Sequence, residues 1–167
     1  MPKYTVNLSA KSFYDLADSI KKYRLGLQEK CEELAKQLAE EGVAIAQLQI
    51  LGMDAVFTGE LLDSMNLRKG DVVSNGASYY IYTDCPWAEF VEFGTGIVGS
   101  EHPHPDTSIA GWKYDTNNHG EAGWWYYKGN KRYWTKGMPS RPFMYNTAKE
   151  LKNMDLILHI ARRVFSD

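Results

Sequence analysis

The feature that most limits the folds open to this chain is a run of helical periodicity over residues 10–50. Leu16, Ile20, Tyr23, Leu27, Leu34, Leu38, Ile45 and Leu48 step by threes, fours and sevens, which sets them along one line of an α-helix. Ser12, with Asp15 three residues on, marks its start by the logic of a capping box. Glu32 and Lys36 stand at i, i+4 on the outer side. Gly26 and Gly42 each weaken a helix by about 1 kcal/mol relative to Ala, and either is a candidate kink. So narrow a stripe on so long a helix suits a seam against a single partner. Two partners fit: the chain's own sheet, or a neighbouring subunit.

The rest of the chain must supply that sheet. With 167 residues, 44% of them hydrophobic and 24% charged, the sequence has the material for one domain with a sizeable core. A net charge of −2 argues against a protein that coats nucleic acid or an anionic membrane. The 11 Tyr, 6 Phe and 5 Trp are less ordinary, because Tyr and Trp join an apolar body to a polar tip and favour interfaces. Cys31 and Cys85 have neither a C-x-x-C nor a metal-ligand spacing and read as free thiols in a reducing compartment. The start, Met-Pro-Lys-Tyr-Thr, lacks the apolar region of a signal peptide, and no apolar run approaches the length of a membrane span. A protein made in the cytosol and soluble until it meets its partner is expected.

Taken in order, residues 3–8 alternate weakly, as in a short strand. Thr58 offers a cap to a short turn with Leu61, Leu62 and Met65 on its apolar side. Residues 66–69 and 72–74 read as a tight hairpin around Gly70-Asp71. Residues 77–83, Ala-Ser-Tyr-Tyr-Ile-Tyr-Thr, are the best strand in the chain. From Trp87 to Gly96 the pattern becomes helical: Trp87, Phe90, Val91 and Phe93 share an apolar arc, with Glu89 and Glu92 on the opposite, solvated one. Pro86 suits its first turn and Gly94 stops it. Residues 96–123 read as a long loop. Residues 124–136 form an aromatic hairpin around Lys128-Gly129-Asn130-Lys131. A final helix over 142–165 starts on Pro142 and carries the stripe Phe143, Thr147, Leu151, Met154, Ile157, Leu158, Ala161 and Phe165. The expected fold is one α+β domain over residues 1–167, with a long N-terminal helix, an antiparallel sheet of about four strands and a C-terminal helix packed on the sheet.

Three groupings invite chemistry. His102, His104 and His119 with Asp106, Asp115 and Glu121 could furnish metal ligands, but the prolines flanking His104 indicate a stiff exposed loop and no His-Glu-x-x-His motif occurs. Glu89, Glu92 and Glu121 beside Trp124, Trp125 and Trp134 bring glycoside hydrolysis to mind, but carboxylates at i, i+3 project side by side instead of flanking a substrate. Passive glycan binding stays open. Lys128, Lys131, Arg132, Lys136 and Arg141, interleaved with Tyr133 and Trp134, are a solvated hairpin tip, a grip for single-stranded nucleic acid, or a face for an acidic neighbour or passing DNA. There is no nucleophile elbow, phosphate-binding loop or cofactor fingerprint, so no catalytic, cofactor or metal residue is assigned. Trp124, Trp125, Tyr127, Lys131, Arg132 and Trp134 are the candidate interface.

Three further elements carry a resemblance. Thr58-Gly59-x-Leu61-x-x-Ser64-Met65 resembles a TG-x-L-x-x-S-[IM] element. Ala88-x-x-Val91-Glu92-Phe93-Gly94-Thr95, after the strand ending at Thr83, resembles an A-x-x-V-E-F-G-T element. Gly137-Met138-Pro139-x-Arg141-Pro142-Phe143-Met144 followed by Ala148 resembles the G-x-x-a-x-P-F-[LM]-x-x-A element before a last helix. Together, and in this order, they resemble the tail-component proteins of long-tailed bacteriophages, also described as head–tail joining or tail-completion proteins, over roughly residues 10–165. The resemblance implies a non-catalytic α+β virion protein without a cofactor, made in the host bacterial cytoplasm and forming a ring at the tail end or neck. Its implied partners are its own copies and other tail or neck proteins, with DNA only in transit and no membrane. It implies architectural roles for Thr58, Gly59, Leu61, Ser64, Ala88, Glu92, Phe93, Gly94, Thr95, Gly137, Pro142, Phe143 and Ala148. The alternative function is a glycan- or cell-wall-binding module built on the tryptophan-rich hairpin.

Overall fold

The computed structural model describes residues 3–4, 9–55, 59–71, 76–106, 108, 111–115 and 117–166. The expected strand over 3–8 falls mostly outside them, and the Thr58 cap and the return strand over 72–74 fall entirely outside. Helix α1 (Ala10–Gly52) is a single element of 43 residues. Its cap is Ser9, one turn before the expected Ser12, because Ser9 has the extended backbone a cap requires and its Oγ accepts the Ser12 N–H at 3.2 Å. Only its second half is anchored: Ala39, Gly42, Ile45, Ala46 and Ile50 are its buried residues, whereas residues 9–30 are exposed or half-exposed throughout.

The two glycines of α1 have different reasons to be there. A Cβ on Gly42 would overlap Ile81 Cδ1 and lie 2.8 Å from Leu151 Cδ1. Gly42 therefore marks the point where a strand and a C-terminal helix both reach the α1 backbone. Around Gly26 there is nothing within 4 Å.

Strand β1 (Met65–Lys69) pairs antiparallel with β2 (Tyr79–Thr83), Met65 opposite Thr83 and Lys69 opposite Tyr79. The partner of residues 65–69 is thus the strong aromatic strand, across a longer connection than the tight hairpin expected. The Gly70 N–H donates to Ser78 O at 2.8 Å and extends the ladder. Short helix α2 (Glu60–Asp63) leads into β1, and Ser64 Oγ meets Thr83 Oγ1 at 2.6 Å where the strands close. After β2 come α3 (Ala88–Phe93) and α4 (Gly96–Glu101). The stretch 96–123 is therefore not loop throughout, since it holds α4 and a 3-10 turn at Gly120–Ala122.

Strands β3 (Trp124–Lys128) and β4 (Lys131–Thr135) form the aromatic hairpin, Trp124 opposite Thr135 and Lys128 opposite Lys131. It is a sheet of its own. The four expected strands exist as two separate two-stranded antiparallel sheets, not one sheet. A two-residue segment β5 (Gly137–Met138) precedes the C-terminal helices.

The C-terminal helix is also divided, into α5 (Phe143–Leu151) and α6 (Met154–Phe165). Asn153 makes the break: its backbone is extended and its side chain accepts the Asp155 N–H at 2.9 Å, capping α6. The break resets the helical phase. Ile160 becomes the buried residue of α6, and Met154, Leu158 and Phe165 of the expected stripe are exposed. Both helices pack on α1, not on a sheet. Asn146 Nδ2 donates to Gln49 Oε1 at 3.3 Å and Arg163 Nη2 to Gln37 Oε1 at 2.6 Å, so the pair runs back along α1. The core gathers Ala46, Ile50, Ala55, Leu61, Met65, Cys85, Ala88, Val91 and Phe143.

Gly42→Val is expected to destabilise the protein by about 1–3 kcal/mol through overpacking. Gly26→Ala, in open space on the same helix, should add up to about 1 kcal/mol of helix stability. Urea unfolding and far-UV circular dichroism check the pair; similar responses at the two sites would contradict the crossing at Gly42.

Candidate functional site

The second motif element folds as its sequence suggests but turns a different face inward. Helix α3 begins after Pro86 and ends at Gly94, whose φ of 82° needs no Cβ. Ala88, Val91 and Glu92 are its buried residues, while Trp87 and Phe90 are 42% and 37% exposed. The expectation of a solvated Glu92 is corrected: it is only 7% exposed.

The cause lies 50 residues further on. The first backbone N–H groups of a helix have no partner within it, and a buried helix end needs acceptors from elsewhere. At the start of α5, Glu92 Oε2 accepts the Met144 N–H at 2.9 Å and Oε1 accepts the Tyr145 N–H at 3.0 Å. The Phe143 N–H donates to Arg141 O and the Asn146 N–H to Pro142 O, so the first turn is fully satisfied. Pro142 is the cap residue itself, one position before the helix it was expected to begin. A carboxylate here also faces the positive end of the helix dipole.

His104 completes the arrangement. Its Nε2 lies 3.1 Å from Glu92 Oε1, and its Nδ1 accepts the Asp106 N–H at 3.1 Å. An acceptor at Nδ1 places the proton on Nε2, where it is donated to the carboxylate. Phe93 packs against His104 and Trp112, with ring centroids 5.0 Å away in each case, and Tyr145 meets the His104 ring edge-on at 5.2 Å. Trp112 Nε1 donates to Gly94 O at 3.0 Å. The flanking prolines predict an exposed loop at His104, yet it is 8% exposed, buried by its carboxylate and ring contacts.

Beyond Gly94 the chain runs antiparallel to residues 136–138. Thr95 is bridged to Met138 and Gly96 to Gly137, with Thr95 Oγ1 accepting the Met138 N–H at 3.3 Å. The approach is too close for side chains. A Cβ on Gly137 (φ 104°) would overlap Thr95 O, and one on Gly94 would lie 2.7 Å from Ser140 N. Ser140 Oγ donates to Glu92 O at 2.6 Å. The Arg141 N–H donates to Val91 O at 2.8 Å, and its Nε to Met53 O at 3.0 Å. Arg141 thus leaves the basic run of the hairpin and serves the core.

Of the remaining motif residues, Leu61, Ala88 and Phe143 are in the core, and Gly59 precedes α2 with a φ of 86°. Ala148 is exposed; Thr147 takes the inward position, donating from Oγ1 to Phe143 O at 2.7 Å. Thr58 lies outside the described residues.

The hairpin register sorts the candidate interface. Trp125 faces Trp134 and Tyr127 faces Arg132 across the strands, giving one exposed face of three aromatics and a cation. Trp125 and Trp134 meet edge-on at 5.2 Å, and the Arg132 guanidinium lies 4.5 Å from the centre of a Trp125 ring. Trp124 belongs to the other face. It stacks on His119 at 4.6 Å and, with Trp87, Val91, Tyr126 and Met138, walls a cavity of about 740 Å³. Lys131 sits opposite Lys128 at the turn.

His104 and His119 engage different carboxylates, Glu92 and Asp115, and among the described residues no three His, Cys, Asp or Glu side chains gather as a metal site. No helix of the described chain is long and apolar enough to cross a membrane. Comparison with known proteins returned no matching family model, no matching curated protein and no matching solved structure.

Glu92→Gln keeps the shape but turns an amide N–H₂ toward one helix N–H, and it is expected to cost about 2–4 kcal/mol. An unchanged urea midpoint would contradict the capping role. The Asp115 carboxyl is held below the usual carboxylate range, first by the His119 backbone N–H and then by that of Gly120. A folded pKa below the unfolded one contributes stability above the unfolded value and loses it as pH falls through the folded value. Protection of the His119 and Gly120 amides, taken as exchange relative to the intrinsic rate at each pH, should therefore be lost only below the ordinary carboxylate range; protection already lost within that range would contradict the hold on Asp115.

Proposed function

We propose that this protein is a structural, non-catalytic component of a long-tailed bacteriophage or prophage, acting in head–tail joining or tail completion through a ring of copies at the tail end or neck. One observation carries the reading. The three sequence elements that resemble the tail-component family lie far apart in the chain and close into one interlocked unit. Leu61 and Met65, Ala88 and Val91, and Phe143 share a core, and Glu92 caps the helix that Phe143 begins. Architectural motifs are expected to behave this way. The carboxylate most suggestive of chemistry is committed to a helix end.

The exposed aromatic face of β3–β4 favours a second reading, a glycan- or cell-wall-binding module. Trp125, Tyr127 and Trp134 are 49%, 69% and 48% exposed and share a face with Arg132. Exposed aromatic surface beside a cation serves protein and sugar partners alike.

Inactivating the gene in the phage or lysogen that encodes the chain should leave filled heads and unjoined or unfinished tails in electron micrographs. A normal yield of infectious particles would overturn the virion role. Trp125→Ala/Trp134→Ala should leave the fold intact and reduce complete particles at least about tenfold, as loss of aromatic anchors does at interfaces. Normal particles, with lost binding to soluble cell-wall fragments, would favour the glycan reading.

A further inference from the structure

The cavity of about 740 Å³ beside the aromatic hairpin falls within the size range of small-molecule sites. Asp54, Trp87, Val91, Trp124, Met138 and Arg141 bring to it, from separate parts of the chain, two indoles, apolar wall, a carboxylate and a guanidinium. The indoles do not stack on one another: the ring partner of Trp124 is His119, and Trp87 is 42% exposed.

Two opposite charges in these walls lack partners. Arg141 is half-buried. Its Nε donates to Met53 O at 3.0 Å and its Nη1 to Met138 Sδ, a weak acceptor, at 3.7 Å. It forms no ion pair with a described residue, and its Nη2 has no acceptor among them. A cation withdrawn from water is costly without an anion. Asp54, the residue after Met53, also forms no ion pair with a described residue.

Asp54 is moreover poorly suited to its backbone position. The Ala55 N–H donates to Ile50 O at 3.0 Å and the Asp54 N–H to Leu51 O at 3.2 Å, a Schellman end to α1, with Asp54 left-handed at a φ of 50°. Glycine is usual at that position. A carboxylate there also faces the negative end of the helix dipole. Nothing in the helix end benefits from Asp54, whereas the cavity gains a carboxylate.

We propose that the cavity binds a free α-amino acid with a large apolar side chain. Its carboxylate meets the Arg141 guanidinium, its ammonium meets Asp54, and its side chain lies against Val91, Met138 and Trp124. One zwitterion supplies both missing partners. A simple anion would meet Asp54 and Glu60, which also lines the cavity, and a simple cation would meet Arg141. The site goes beyond the virion reading and does not rest on it.

Titration of the full chain with L-phenylalanine and with L-leucine, followed by the indole N–H resonances of Trp87 and Trp124, tests the site. At least one of the two amino acids should shift both resonances. The analogues of L-phenylalanine that lack one charge, 2-phenylethylamine and 3-phenylpropanoate, should each bind at least about tenfold more weakly than it does, as loss of a charge-assisted hydrogen bond entails. Asp54→Gly separates binding from folding. It relieves the left-handed position, so the urea midpoint should hold or rise, while amino-acid affinity should fall at least about tenfold. No shift with either amino acid overturns the proposal, as do shifts confined to Trp125 and Trp134. An analogue that binds as tightly as L-phenylalanine, or an Asp54→Gly variant with unchanged affinity, overturns it too.

Discussion

Everything on the C-terminal side of this fold depends on a carboxylate placed at a helix end. Phe143 is the aromatic that closes the core, and it can be buried only if the start of α5 is buried with it. A buried helix start presents backbone donors that nothing in its own helix accepts. Glu92 supplies both missing acceptors from α3, and its own backbone carbonyl takes the Ser140 hydroxyl. With that end fixed, α5 crosses α1 at Gly42, and α6 continues along α1 until Arg163 meets Gln37. The His104 segment follows the same charge, since the remaining side of the carboxylate is closed by Nε2. A single buried anion thus organises α3, α5 and the chain around residue 104. It is tolerable there because each oxygen is hydrogen-bonded.

Much of the fold is legible in the sequence, and the parts that are not share a cause. The long helix α1, the β2 strand, the hairpin around Gly129 and the stop at Gly94 each rest on local pattern, and each is found near its expected place, but of the stripe expected along α1 only Ile45 is buried and Leu48 is 67% exposed. The pattern of α3 places Glu92 in solvent because an amphipathic arc sorts residues by type, and nothing within α3 announces two backbone donors arriving from residues 144 and 145. The break at Asn153 is masked because α6 has apolar residues on more than one flank, so a continuous stripe can be drawn through it. The pairing of β1 with β2 and the separation of the two sheets are matters of long-range contact. No hydrophobic periodicity encodes them.

The aromatic surface illustrates the same division. That residues 124–134 carry an unusual density of rings is plain from composition. Which rings are offered outward is fixed by strand register: one step along β3 separates the exposed Trp125 from Trp124, which is turned to His119 and the cavity. Arg141 reads as the tail of the basic run until its guanidinium is found on the Met53 carbonyl. A signal was available for His104, since a histidine held between two prolines is also a histidine held in one place, but the sequence does not name what it is held for.

The glycine contact between residues 94–96 and 136–138 has a consequence for how the molecule varies. Residues 97–135 leave from one side of that contact and return to the other, so their ends are pinned side by side whatever happens between them. Closing a longer excursion from a fixed base costs little, about 0.6 kcal/mol for each doubling of its length. The arm bearing the aromatic face can therefore grow, shrink or be exchanged with small effect on the α1–α5 body, provided the glycines and the His104 anchor stay. The fold separates a tightly fitted glycine joint from an arm whose length that joint does not dictate.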